Sequence, residues 1–239
     1  MADPSTVTLV VLPTYNERDN LPVLVDALLA LPHVKVLVVD DGSPDGTGAV
    51  ADALAQARPD RIEVMHRSGP RGLGRSYVDG LLRALETDAA LICQMDADLS
   101  HDPADLPRLI ARAQAADLVI GSRYVPGGRV ENWARRRVLL SAFANRYVRA
   151  ITGLDARDCT SGFRCWRREA LQRIALRAIT SNGYAFLVEM AWLAARAGCR
   201  IAEVPITFTE RRAGASKLSG GVIVESAMLP WRLKGRGRP

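Results

Sequence analysis

With 239 residues and 48% hydrophobic side chains, the chain is long enough for one α/β domain, or one with a C-terminal extension, and too apolar to be disordered except at its ends. Its net charge of +6 favours an anionic partner: nucleic acid, a nucleotide derivative or an anionic membrane surface. Aromatics make up only 5%, with no alternation of Arg with Tyr or Phe, which speaks against single-stranded nucleic acid.

Thr6 to Leu12 is a β-branched apolar run of the kind buried on both faces of a parallel sheet. Pro13 is expected to end it and to leave Thr14, Tyr15, Asn16 and Glu17 at the strand's carboxyl edge. Helical spacing from Leu21 to Leu31 follows, with Asn20 as the expected cap. A second strand, Val34 to Val39, runs into Asp40-Asp41-Gly42-Ser43-Pro44-Asp45-Gly46-Thr47, with Thr47 expected to cap a helix through Arg58. Ile62 to His66 reads as a third strand, and Gly69, Gly72 and Gly74 open a helix through Leu85. Ala90 to Met95 is the fourth strand and ends in Asp96-Ala97-Asp98-Leu99-Ser100. This alternation predicts a doubly wound, mostly parallel sheet with helices on both faces.

Beyond it, a helix is expected from Ala104 to Ala115 and a short strand from Leu118 to Ile120, with Val125 to Val130 as a loop. Trp133 to Ile151 reads as a helix carrying Arg135, Arg136, Arg137, Arg146 and Arg149. Trp133, Val138, Leu139, Phe143 and Tyr147 would form its apolar side, facing either a membrane interface or the core. Asp158 to Phe163 is irregular, and Arg167 to Leu176 and Ala185 to Ala197 are helical. Ile201 to Phe208 is a strand that Pro205 marks as an edge. Glu210 to Ser219 is a polar loop, Gly221 to Leu233 a final amphipathic helix, and Arg232 to Arg238 a basic tail expected to be mobile. Residues 1–220 are thus expected to form the main α/β domain, and 221–239 a helix and tail. Cys93, Cys159, Cys165 and Cys199 are too scattered for a zinc site or a disulfide framework; Cys93, within a strand run, and Cys199, just before one, are expected to act as small buried hydrophobes. With no leader-like N-terminus and no long apolar run, a cytoplasmic location with peripheral membrane contact is expected.

Three strand ends carry acid at the same sheet edge: Glu17; Asp40, Asp41 and Asp45; Asp96 and Asp98. Ligands of open α/β sheets bind just beyond those carboxyl ends. Asp96 and Asp98, with the Ser100 oxygen, suit a hard divalent cation shared with a diphosphate. Neither a Gly-x-Gly-x-x-Gly after the first strand nor a Gly-x4-Gly-Lys-Ser/Thr is present, which argues against dehydrogenases and P-loop NTPases. Acids instead accept hydrogen bonds from base and ribose.

Val11 to Glu17, Val38 to Thr47 and Met95 to His101 resemble family-2 glycosyltransferases of the GT-A fold, and within them the polyprenol (dolichol) phosphate mannose synthases. Gly121-Ser122-Arg123-Tyr124-Val125, Thr160 to Arg164 and Glu203 to Leu218 extend the match over residues 7–220. The resemblance implies transfer of mannose from GDP-mannose to a polyprenyl phosphate. Pro13, Tyr15, Glu17, Val39 and Asp41 would hold the guanosine. Asp96, Asp98 and Ser100 would hold Mg²⁺ or Mn²⁺, with Ala97 giving a backbone contact; many family members have Gln at the Ser100 position. Arg123, Arg211 and Lys217 would meet the donor phosphates and, with Asp98, form the catalytic set. Arg137 and Ser141 match the acceptor-phosphate positions. A lipid phosphate is already ionised near neutrality, so no general base is assigned. Family members often carry C-terminal spanning helices; without them, a separate membrane-anchoring protein is an expected partner. Two alternatives stand beside this: a UDP-glucose-dependent polyprenyl phosphate glucosyltransferase, and a non-catalytic scaffold of a membrane glycosylation complex.

Overall fold

The computed structural model describes residues 6–181, 183–210 and 220–237. Its first half alternates strand and helix as β1 (Thr8–Thr14), α1 (Leu21–Leu29), β2 (Val34–Asp40), α2 (Thr47–Ala57), β3 (Ile62–His66), α3 (Leu73–Ala84) and β4 (Leu91–Gln94). A 3₁₀ turn at Pro103–Asp105, α4 (Leu106–Arg112), β5 (Leu118–Ser122), β6 (Arg129–Glu131) and α5 (Arg135–Thr152) follow. The chain continues with β7 (Arg164–Arg167), α6 (Arg168–Gln172), α7 (Gly183–Arg196), β8 (Ile201–Pro205), β9 (Thr207–Thr209) and α8 (Gly220–Gly235).

The main sheet has the order β3-β2-β1-β4-β7-β5-β8, and only β7 runs antiparallel to its neighbours. After β1 the order turns back to β4, so the β1–β4 boundary is the switch point where a crevice opens. The strict side-chain alternation of strands fills both faces. Leu9, Val11, Leu37 and Val39 enter one buried cluster; Val10, Leu12, Val36 and Val38 enter the other. α3 lies close on the first face because Gly80 has no side chain. A Cβ there would come within 2.6 Å of Val11 Cγ1 and 2.8 Å of Val39 Cγ2. All four cysteines are buried and free.

Several local expectations are corrected. Pro13 does not end β1; it pairs in register with Val39. Thr14 O accepts from Asp41 N on the β2 side, so Pro13 turns its missing N–H towards β4, whose pairing with β1 has stopped at Gln94. Asn20 makes no side-chain cap; its amide donates to Glu17 Oε2 at 2.8 Å. Thr47 opens α2 rather than capping it, and its hydroxyl donates to Asp45 Oδ1 at 2.6 Å. The Val125–Val130 loop includes the start of β6, which pairs with β9 in a second, two-stranded sheet. β7 had no counterpart in the sequence pattern because it is a four-residue strand that carries Arg164 and Arg167 at its two ends. Ile201 to Phe208 is not one strand: β8 ends at Pro205 on the edge of the main sheet, and Thr207–Thr209 forms β9 in the second sheet.

The basic C-terminal end is also corrected. α8 continues to Gly235 and packs on α5 and α7, burying Leu229 and Leu233. Arg236 then reaches buried Glu189 at 3.3 Å. Trp133 lies before α5, so the helix's outward apolar residues are Leu139, Leu140 and Phe143, joined by Met228 and Trp231 of α8. Among the described residues no helix is long and apolar enough to cross a membrane.

Candidate active site

Beyond the carboxyl ends of β1, β2 and β4 lies a cavity of about 460 Å³. Pro13, Tyr15, Glu17 and Asp41 line one end, Asp96, Ala97, Asp98 and Ser100 the middle, and Arg123 and Arg137 the other end. Val39 does not line it: it is fully buried and faces Gly80. Ser141 also lies outside the lining, one turn along α5 from Arg137. Arg211 and Lys217 lie outside the described residues.

The first end is held by a mesh of short side chains. Asn16 takes a left-handed backbone (φ 61°), and its N–H donates to Ser43 Oγ at 3.1 Å. Glu17 N donates to Thr47 Oγ1 at 2.9 Å, which ties the β1 end to the β2 end. Asp40 does not reach the cavity; it accepts the Ser43 hydroxyl at 2.5 Å and closes the turn. Asp41 accepts Gly72 N at 2.8 Å and the guanidinium of buried Arg67, which also holds Asp79 at 2.7 Å. The glycine-rich segment before α3 is thereby fastened to β2. It brings Arg71 over the Tyr15 ring, 4.8 Å from its centroid and 2.8 Å from its hydroxyl. Each Asp41 oxygen has a second lone pair for a ligand.

In the middle, buried Tyr77 of α3 donates to Asp96 Oδ1 at 2.8 Å. Burial, then the charges of Asp96 and Asp98, push its hydroxyl well above the usual tyrosine range, so it stays a neutral donor. His101 Nε2 lies 3.7 Å from Asp96 Oδ2, and neither ring nitrogen has a hydrogen-bond partner among the described residues. Gly162 passes so close that a Cβ would sit 3.0 Å from Asp96 Oδ2. Leu99 turns left-handed (φ 61°) so that Ser100 N donates to Asp98 Oδ1 at 3.1 Å. Ser100 O accepts from Thr209 N at 3.1 Å, sewing this loop to β9. Among the described residues no group of three or more His, Cys, Asp or Glu gathers at metal-ligand spacing.

At the far end Arg123 is clamped by Asp158, with Nε and Nη2 each 2.7 Å from a carboxylate oxygen and the backbone N–H at 3.0 Å. Burial alone would raise the Asp158 pKa, but the Arg123 charge and hydrogen bonds outweigh it and hold the carboxyl below the usual range. Arg137 stacks 3.9 Å over the Trp133 ring, and Trp133 meets Phe208 at 5.3 Å. Its guanidinium donates to Glu210 Oε1 at 2.5 Å. Burial lowers the Arg164 pKa to about 10, and its guanidinium is held by the carbonyls of Cys159 and Ser161.

Sequence reasoning missed Tyr77, His101, Asp158 and the cavity roles of Arg71, Trp133 and Glu210. His101 was findable as the neighbour of the paired acids. Tyr77 and Asp158 sit far along the chain from their partners, and no spacing rule connects them.

Residues 9–175 match Glycosyl transferase family 2. The chain belongs to this family. The polyprenol monophosphomannose synthase of Mycolicibacterium smegmatis is 51% identical over 98% of this chain and 92% of its own length. The undecaprenyl-phosphate mannosyltransferase of Micrococcus luteus is 46% identical over 95% of each chain. Glucosyl-3-phosphoglycerate synthase of Mycobacterium tuberculosis, solved with Mn²⁺, UDP and glucosyl-3-phosphoglycerate, superposes with a TM-score of 0.69 at 20% identity, covering 98% of this chain and 81% of that one. The family-2 chain described here therefore has the GT-A fold that the sequence motifs predicted.

Proposed function

We propose that this chain transfers mannose from GDP-mannose to a polyprenyl phosphate with inversion, giving a β-linked polyprenyl phosphomannose. The observation that carries this is the single cavity joining an acid-lined end, a paired-carboxylate centre and an arginine-lined end. Relatives named for prenyl-phosphate mannose transfer support the choice of sugar and acceptor.

Glu17, Asp41 and Tyr15 would take the guanosine hydroxyls and base edge. The centre fits a hard divalent cation, Mg²⁺ or Mn²⁺. Asp96 and Asp98 supply carboxylate oxygens, and His101 leaves buried ring nitrogens without hydrogen bonds beside Asp96. A bound cation would neutralise charge developing on the departing diphosphate. Arg123, fixed by Asp158, offers a preorganised positive charge, with Arg211 and Lys217 assigned to the same task from their motif. The acceptor phosphate, with a second pKa of about 6, needs no base. Its oxygen attacks the anomeric carbon as the bond to the diphosphate oxygen breaks, and GDP departs with that electron pair.

The acceptor lies in a membrane, and α5 and α8 offer the contact. Leu139, Leu140, Phe143, Met228 and Trp231 are each at least half exposed, with exposed Arg135, Arg136, Arg146, Arg232 and Lys234 around them. A separate membrane-anchoring protein is proposed as a further hold. Incubation with labelled GDP-mannose, polyprenyl phosphate and Mg²⁺ should give labelled lipid. GDP should compete better than UDP, and Asp98→Ala should lose about 10²-fold or more. Activity in Asp98→Ala equal to wild type, or preferential competition by UDP, would sink the proposal.

A further inference from the structure

The two arginines at the acceptor end are paired in opposite ways. Arg123 and Asp158 keep only 5% and 0% side-chain exposure, joined by two short side-chain hydrogen bonds and a third from the backbone. Arg137 and Glu210 keep 32% and 41%, joined by a single contact at 2.5 Å. The first is part of the framework. A pair as exposed as the second is weak and readily exchanged.

Everything about Arg137 except that carboxylate looks like a seat for an anion. Its guanidinium carbon lies 3.9 Å from the Trp133 ring centroid, a cation–π seat that leaves N–H groups to make hydrogen bonds. Phe208 backs Trp133, and Arg123 lies 5.7 Å from the same Trp133 ring, so a second positive charge is close. Glu210 is fixed through its backbone, its N–H donating to Glu131 O at 3.2 Å at the end of the β6–β9 ladder. Its side chain can therefore swing without breaking that ladder. Arg137 and Glu210 both line the cavity that holds Asp96 and Asp98.

Resting on the acceptor reading above, we propose that Glu210 occupies the acceptor phosphate's place on Arg137, and that lipid binding is an exchange of one anion for another. A carboxylate carries one negative charge, whereas a phosphate monoester carries about 1.5 to 2 near neutral pH and presents more acceptor oxygens to a guanidinium. The phosphate therefore wins the exchange, and Glu210 sets how much affinity it must spend to do so. The carboxylate keeps Arg137 oriented while the cavity is empty, and it disfavours weaker anions. Glu210 is a positioning residue acting through Arg137, and it directly precedes Arg211 in the chain.

The test uses the full chain as wild type, Glu210→Gln, Arg137→Ala and the double variant. Steady-state rates against polyprenyl phosphate, at saturating GDP-mannose, give KM and kcat. Tryptophan fluorescence during titration with geranyl phosphate gives acceptor-head binding without turnover. Glu210→Gln should lower the acceptor KM and the geranyl phosphate Kd by about threefold, with the change falling on KM rather than kcat. On the Arg137→Ala background the same substitution should have no effect, since a coupled pair gives a non-additive cycle. A raised or unchanged acceptor KM in Glu210→Gln overturns the proposal, as does an effect that survives in Arg137→Ala. If the wild type transfers no mannose, the functional reading fails separately, and the geranyl phosphate titration still decides the exchange. Absence of geranyl phosphate binding in every variant overturns the exchange and leaves the function to the transfer assay.

Discussion

At the proposed donor end of the cavity, polar side chains are cross-linked to one another and to backbone. Thr47 joins Glu17 to Asp45, and Asp41 joins Arg67 to the Gly72 amide. Of the two arginines described at the proposed acceptor end, Arg123 is treated this way, whereas Arg137 rests on an aromatic ring and a half-exposed carboxylate. The proposed function accounts for the contrast. A nucleotide arrives from water with many hydrogen-bonding groups, so its site gains from donors and acceptors already in place. A lipid phosphate arrives from an interface with one charged group and an apolar tail. On that reading its site gains from exposed apolar residues outside and an exchangeable cation within.

The largest effect is expected where framework pairing crosses into the acceptor end. Asp158→Asn leaves Arg123 buried beside a neutral amide, and removal of one partner of such a pair typically costs about 3–5 kcal/mol. Thermal unfolding should show the loss. Because the folded Asp158 carboxyl is depressed, its contribution is present above the ordinary carboxylate range near pH 4 and is lost as pH falls through the lower folded value. Asp158→Asn should therefore flatten the acid limb of the stability curve; an unchanged limb would show that the clamp adds no stability. A smaller effect is expected at the centre. Tyr77→Phe removes one hydrogen bond to a carboxylate, worth about 1.5–3 kcal/mol. It should weaken Mn²⁺ binding, followed by electron paramagnetic resonance, more than it lowers the melting temperature. The smallest belongs to the outer face. Phe143→Glu should reduce transfer on anionic vesicles by roughly tenfold, about the worth of half a buried aromatic side chain. Transfer to a short, water-soluble prenyl phosphate should be unaffected. Equal loss on both acceptors would place Phe143 in the fold rather than at a membrane.

Much of the donor end was legible because its signals are local. An apolar run followed by acid names a strand and its carboxyl edge together, and three such runs name one edge. The expectations that failed depended on neighbours. Pro13 reads as a strand breaker until the pairing of β1 shows its missing N–H facing past the end of β4. Asn20 and Thr47 read as caps until Glu17 and Asp45 are seen to claim their side chains. Trp133 reads as the start of an amphipathic helix until Arg137 and Phe208 are found against its ring.

The sequence by itself determined the alternating α/β plan, the acidic strand ends and the place of the Asp96-Ala97-Asp98 pair, because period-two burial and strand-end chemistry act over a few residues. Only the tertiary structure decided that Tyr77 holds Asp96, that Asp158 clamps Arg123 and that Glu210 sits on Arg137, which is 73 residues away along the chain. Those contacts follow from how strands are ordered and how closely α3 lies on the sheet. Such pairings join residues by packing, and packing leaves no period in the chain.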